Sequence, residues 1–78
     1  MKAMARCIAL DMDCAQICAL AAALMARGSE HAKAICGLCA DICQSCGDEC
    51  AKHQMKHCQE CAKACHQCAK ECRKMASI

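Results

Sequence analysis

Ten of the cysteines in this 78-residue chain recur at one fixed spacing, three, four, three, four, in two sets of five. The sets are Cys36, Cys39, Cys43, Cys46 and Cys50, and then Cys58, Cys61, Cys65, Cys68 and Cys72. The spacing is that of the core positions of a helix, with cysteine where leucine would normally stand. Each set therefore lines one face of a helix over roughly 21 Å, at ~1.5 Å per residue. Two such helices packed side by side would enclose a column of thiols.

A first helix is predicted over residues 3–26. Its inward stripe mixes thiols with other side chains: Met4, Cys7, Asp11, Cys14, Cys18, Ala21 and Met25. A second apolar stripe, Leu10, Ile17 and Leu24, widens the buried face, as expected of a helix with more than one neighbour. Gly28 is predicted to end the helix in the left-handed conformation.

Two more helices are predicted to carry the two sets of five cysteines. The first begins at Ser29 as its N-cap, with Glu30 in its first turn, and ends between residues 50 and 53. Gly37 and Gly47 inside it are interpreted as points of close helix approach. Neither Pro nor Gly marks the next connection, at residues 52–56, and the alternative is one unbroken helix over residues 29–75. The cysteine rhythm slips by one residue there, which favours a break.

The composition lacks the side chains that normally fill a core. There is no Phe, Trp, Tyr or Val, and Ile and Leu together number nine. We expect one domain, residues 1–78, that needs metal or oligomerisation for stability. A net charge of +2 without aromatic residues gives no indication of nucleic-acid binding.

The location of the chain is predicted from its N-terminal region and its cysteine content. No secretory signal is visible, and the apolar run at residues 17–26 is too short to span a membrane. A cytoplasmic location is therefore expected, where many cysteines indicate metal binding or catalysis rather than disulfides.

Monovalent copper fits the thiol stripes best. Haem attachment needs a C-x-x-C-H motif, which is absent, and iron–sulfur clusters favour loop spacings. Soft thiolates select Cu(I), and one helix can supply two sulfurs at i and i+3 or i+4. Sharing sulfurs between ions brings the core towards neutrality, so many Cu(I) ions are expected and no enzyme activity. A zinc or general soft-metal buffer and a thiol redox protein remain alternatives.

Further metal ligands are predicted at the ends of the column. His53 and His57 flank the second connection, where they could capture copper, and Met4 and Met25 extend the first stripe with thioethers. The alternatives are solvated histidines and methionines that only plug the core. Asp11 is interpreted either as a partly buried polar residue or as a proton acceptor. His31 and His66 are expected at the surface.

The cysteine pattern resembles that of the copper storage proteins, a family of cysteine-rich four-helix bundles. The segments that carry the resemblance run from Cys7 to Ala21, from Ile35 to Cys50 and from His57 to Cys72. The resemblance implies an all-α antiparallel bundle that stores several Cu(I) ions on its thiolates in the cytosol and associates into homo-oligomers. Three helices are visible, corresponding to the last three of the family's four. We therefore expect a second copy, in a dimer or tetramer, to cover the open flank through the leucine and isoleucine stripe of helix one and the exposed sulfurs.

Overall fold

The structure, a computed structural model, describes residues 2–77 as three antiparallel α-helices. They are α1 (Lys2–Ala26), α2 (Ala32–Ala51) and α3 (Lys56–Ala76), and the described residues contain no strand. The central helix, α2, packs against both of the others. The break between α2 and α3 is confirmed, and the all-α architecture follows the predicted one.

The first connection depends on Gly28, which adopts the predicted left-handed conformation with φ 64°. The Ser29 amide then donates to the Leu24 carbonyl at 2.9 Å, which closes the end of α1. The predicted start of α2 was wrong. Ser29 and Glu30 lie in the turn, and the helix begins three residues after Ser29, at Ala32. The Ser29 hydroxyl accepts a bond from the His31 amide within that turn and does not cap the helix.

The second connection turns without Gly or Pro because α3 supplies a side chain to hold it. Gln59 donates from its amide nitrogen to the carbonyls of His53 and Ala51, at 2.6 and 3.2 Å. Met55 then takes an extended conformation immediately before α3 begins. These bonds satisfy backbone acceptors that the end of α2 leaves free.

One of the two glycines inside α2 is a point of close approach, as predicted, and the other is not. The imidazole of His66 on α3 lies directly over Gly47, where an added Cβ would overlap the ring. At Gly37 an added Cβ would meet no described atom within 4 Å, so that prediction was wrong. Gly37 lies on a side of α2 that the described chain leaves open.

The apolar part of α1 is longer than the run at residues 17–26 from which we predicted that no segment could span a membrane. Its segment Met4–Ala26 has a mean hydropathy of 1.7 and is long and apolar enough to cross a membrane by length and composition. A core helix that is mostly buried passes the same test, whereas 17% of the most apolar 18-residue window of α1 is buried within the described chain. Cys7, Cys14 and Ala21 on this segment are buried in the core shared with α2 and α3.

Candidate metal centre

The three helices enclose a continuous column of sulfur atoms. Ten of the thirteen cysteines are buried, and Cys18, Cys61 and Cys68 are half-buried. Between them pack alanines (Ala21, Ala40, Ala62 and Ala69) and no larger fully buried side chain. The small side chains of α3 let its backbone approach α2 closely, so that the sulfurs face one another across the interface.

The sulfurs of α2 have partners on both outer helices, and Cys43 and Cys50 each contact one sulfur of α1 and one of α3. Towards α1, Cys50, Cys43 and Cys39 lie 3.2, 3.0 and 3.4 Å from the sulfurs of Cys7, Cys14 and Cys18, in that order. Towards α3, Cys50, Cys46 and Cys43 lie 3.5, 3.4 and 3.6 Å from Cys61, Cys65 and Cys68. On each outer helix, the residue numbers of the partners fall as the residue numbers along α2 rise. This order is that of antiparallel packing. Every rung of the column thus joins two helices.

Three groups within the column bring ligand atoms within 4.8 Å of one another. One is formed by four thiols, one by three thiols and a carboxylate, and one by three thiols. Their members are Cys18, Cys39, Cys43 and Cys68; Asp11, Cys46, Cys50 and Cys61; and Cys14, Cys46 and Cys65. Cys46 belongs to two of the groups, and Cys14 lies 3.0 Å from Cys43 of the four-thiol group, so the column is continuous. Such spacing suits thiolates that bridge neighbouring ions.

Asp11 replaces a sulfur in the column and accepts hydrogen bonds from three thiols. Its Oδ1 lies 2.9 Å from Cys46, 3.2 Å from Cys61 and 3.4 Å from Cys50. Burial raises the pKa of Asp11, but the three hydrogen bonds from thiols, with a smaller contribution from nearby His57, outweigh it, so the net pKa is lowered. The carboxylate is therefore a charged member of this candidate ligand group. The spacing predicted that Asp11 lies in the inward stripe of α1, but it did not predict the three thiols that donate hydrogen bonds to Asp11.

Burial holds the thiols of the column in their protonated form. Burial raises the pKa of Cys39, Cys43, Cys46 and Cys50 above the ordinary value of 9.0, and that of Cys65 to about 12. Neighbouring thiols add to the effect, because a second thiolate nearby would repel the first. A cation entering the column removes that repulsion, so metal binding and deprotonation are coupled.

A charged cluster closes the end of the column where α1 begins and α2 ends. Its centre is Glu49, the one charged residue buried in the described chain, with 8% exposure. Arg6, Lys52 and His53 all contact its carboxylate. Hydrogen bonding to Arg6 is the main reason why the pKa of Glu49 is lowered. Sequence reasoning missed Glu49, which lies beside Cys50 with no spacing signal of its own.

The predicted ligands outside the cysteine set lie at the ends of the column and outside the three groups. His53 is half-buried, with Nε2 3.2 Å from Glu49, and His57 is exposed. Met4 and Met25 are half-buried against the core. Cys7, Cys36, Cys58 and Cys72 are buried but also lie outside the three groups. Of the other histidines, His31 is exposed and His66 bonds Asp48 at 2.9 Å on the surface of α2 and α3.

All thirteen cysteines are free thiols, and most of them point into one shared interior. A bundle whose core is made of protonated thiols, with a carboxylate among them, is built to hold soft, thiophilic metal ions. The fold and the site thus define a helical metal-binding protein in which cysteine takes the place of aliphatic core residues.

Comparison with known proteins gives the family. A profile described as copper storage protein matches residues 1–77, and the chain belongs to that family. Its structure is similar to that of apo copper storage protein 3 from Bacillus subtilis, with a TM-score of 0.91 and 57% identity over 94% of this chain and 73% of that one. The Cu(I)-bound form of that protein matches with a TM-score of 0.91 and 56% identity, over 96% of this chain and 71% of the other.

Two further relatives extend the comparison. A solved protein from Nitrosospira multiformis has a TM-score of 0.80 and 37% identity, over 96% of this chain and 78% of its own. The uncharacterised cysteine-rich protein YhjQ of Bacillus subtilis is 58% identical over 38 residues, which is 49% of this chain. The chain thus spans 35% of the length of that curated relative.

Proposed function

We propose that this protein stores several Cu(I) ions on the thiolates of its core and buffers cytosolic copper. The observation that carries the proposal is the continuity of the column, in which rungs of 3.0 to 3.6 Å join all three helices. A site for one catalytic ion needs three or four converging ligands, whereas this column supplies thirteen thiols. The Cu(I)-bound form of the Bacillus subtilis relative supports the choice of metal.

Charge balance sets the expected number of ions. One Cu(I) held by two thiolates leaves a negative charge in a buried site, which is costly. If each thiolate bridges two ions, the ratio approaches one copper per thiolate and the interior approaches neutrality. The close spacing of the sulfurs permits such bridging along the whole column. We therefore expect the copper content to approach the number of thiols.

Anaerobic titration of the reduced, copper-free protein with Cu(I), in competition with a chromophoric Cu(I) chelator, tests the proposal. The expected result is about one ion per thiol, with protons released as the metal is taken up, because thiols must ionise to bind. A stoichiometry of one or two ions per chain would contradict storage. A redox protein would instead show stable disulfides in freshly isolated material, which a count of free thiols detects.

The histidines and methionines at the two ends are proposed as accessory ligands. His53 and His57 lie at the end of the column marked by Glu49, where an incoming ion would meet an imidazole before the first thiols. Replacing both by alanine should slow copper uptake without lowering the final copper content. An unchanged rate would leave them as surface residues with no part in capture.

We also propose that the protein acts as a homo-oligomer. Leu10, Ile17 and Leu24 of α1 are only half-buried, and Cys18 and Cys68 are partly open on the adjacent sulfur face. Ile17 also lines a shallow depression with Leu20 and Ile42. A second copy would cover these side chains, and sedimentation should show a dimer or tetramer. A folded, copper-loaded monomer would contradict the association.

A further inference from the structure

The four-thiol group differs from the rest of the column in geometry. Its members are Cys18 on α1, Cys39 and Cys43 on α2, and Cys68 on α3, and all four sulfurs lie within 4.8 Å of one another. Five of the six sulfur pairs are close: Cys18 lies 3.4 Å from Cys39, 3.5 Å from Cys43 and 3.4 Å from Cys68, and Cys43 lies 3.8 Å from Cys39 and 3.6 Å from Cys68. The sulfurs form a compact tetrahedron and not a line.

The size of this tetrahedron matches a particular coordination. Zn(II) binds four cysteine thiolates at ~2.3 Å in a regular tetrahedron, whose edge is then about 3.8 Å. Five of the pairs span 3.4 to 3.8 Å and the sixth, Cys39 to Cys68, lies within 4.8 Å, so small movements of the sulfurs produce that geometry. Four sulfurs in a tetrahedron are typical of zinc or iron–sulfur sites, and a single enclosed position favours zinc.

One side of the tetrahedron is partly open to water. Cys39 and Cys43 are fully buried, whereas Cys18 and Cys68 are half-buried on one side of the tetrahedron. A divalent ion with four thiolates carries a net charge of −2, and the water reached through Cys18 and Cys68 can stabilise it. The carboxylate group at Asp11 has three sulfurs, and the group at Cys14 has only three ligands, so neither matches a closed four-sulfur site.

We infer that Cys18, Cys39, Cys43 and Cys68 form a discrete tetrahedral site that takes one divalent, thiophilic ion of the Zn(II) class. On binding, four S–H groups release four protons to solvent, four metal–sulfur bonds form, and no electron is transferred. The ion joins α1, α2 and α3 through one centre and stabilises the bundle when copper is scarce. The site uses four of the thiolates of the proposed copper store, but it does not require that store to be correct.

The test is anaerobic titration of the reduced, full-length protein with Co(II), a spectroscopic substitute for Zn(II). The expected result is one ion per chain with the absorption of a tetrahedral cobalt tetrathiolate, displaced by one equivalent of Zn(II). Cys18→Ser and Cys68→Ser should each abolish the tetrathiolate spectrum. Cys36→Ser, which removes a buried thiol outside the group, is the matched control and should retain it. Equal loss in all three variants, or no tetrahedral spectrum in the unmodified protein, would overturn the inference.

Three measurements keep the outcomes separate. Circular dichroism establishes that each variant is folded. Where one is not, a crystal structure of the unmodified protein with one equivalent of Zn(II) decides, since an ion on these four sulfurs supports the site and an ion bound elsewhere overturns it. The Cu(I) capacity of the same preparation tests the storage function independently. A full copper capacity without the cobalt spectrum refutes the zinc-class site alone, and the spectrum with a capacity of one or two Cu(I) refutes the storage proposal alone.

Discussion

Raising the pH should unfold the copper-free protein in a range where most small helical domains stay folded. Five thiols, Cys39, Cys43, Cys46, Cys50 and Cys65, have pKa values that burial raises above the ordinary 9.0. Because these pKa values are raised in the folded state, the contribution of the thiols to the free energy of unfolding is fully present below pH 9. It is lost as the pH rises towards the pKa that each thiol has in the folded protein. Above pH 9 the unfolded chain ionises these thiols freely while the folded chain cannot.

The magnitude follows from linkage. Each such thiol lowers the free energy of unfolding by about 1.4 kcal/mol per pH unit, which amounts to at most about 7 kcal/mol per unit for the five. Solvent screening at the partly open face reduces this, and about half is a reasonable working value. A chain of 78 residues has a stability of roughly 4–12 kcal/mol. We therefore expect the helical signal to be lost between about pH 10 and 12.

Far-ultraviolet circular dichroism of the reduced protein, measured anaerobically against pH, provides the assay. Denaturant unfolding at several pH values then gives the slope of stability against pH, and with it the number of protons lost on unfolding. Cys43→Ala should reduce that slope by about one proton while its overall stability falls for lack of packing. The copper-loaded protein has already lost these protons and should show almost no dependence on pH.

A folded copper-free protein whose thiols titrate near pH 9 without loss of helix would refute the reasoning. It would show that water reaches the column freely and that the sulfurs are not sealed inside the bundle. A steep pH dependence that persists in the copper-loaded protein would refute it too, because the titrating groups would then not be the metal-binding thiols.

Three comparisons test separate features of the site. Gly47→Ala should push the partly exposed His66 ring away from Asp48 and change stability by less than about 1 kcal/mol, because the ring can move and alanine favours the helix, while Gly37→Ala should be neutral or stabilising by up to ~1 kcal/mol; denaturant unfolding compares them. Asp11→Asn should cost about 1–2 kcal/mol, since a charged acceptor of three thiols is lost, and the exposed Asp13→Asn should cost little in the same assay. The lowered pKa of Glu49 contributes stability that is present above pH 4.5 and lost in acid, so Glu49→Gln should flatten the acid limb of a pH–stability curve.

The helices were predictable because their signal is long and regular. The three-four spacing of cysteine fixed which faces turn inward, and a one-residue slip in that spacing was enough to place the break before α3. The pairing of helices also followed, since consecutive helices with short connections pack antiparallel. The start of α2 was less predictable. Ser29 has the right chemistry for a cap, but the end of α1 uses the Ser29 amide to close its last turn, and the next helix begins only after it.

The finer features of the site depend on contacts across helices, which spacing along one helix does not reveal. Both glycines of α2 looked alike in sequence, yet only Gly47 faces a side chain of α3. Glu49 follows the polar pattern of an exposed helical residue, and it is buried because Arg6 from α1 lies across it. The grouping of four sulfurs at Cys18 likewise depends on three helices at once.

The exchange of leucine for cysteine has an energetic consequence that connects fold to function. A thiol buries less apolar surface than a leucine side chain, and no side chain larger than cysteine is fully buried in the described core. The copper-free bundle therefore has little hydrophobic stabilisation in reserve, and ionising its thiols without a cation weakens it further. A cation that enters the column removes the repulsion and adds bonds that join the helices in the folded state alone, so it raises stability by mass action. The same sulfurs that make the empty fold marginal thus make the filled one stable, and stability should rise with each ion added.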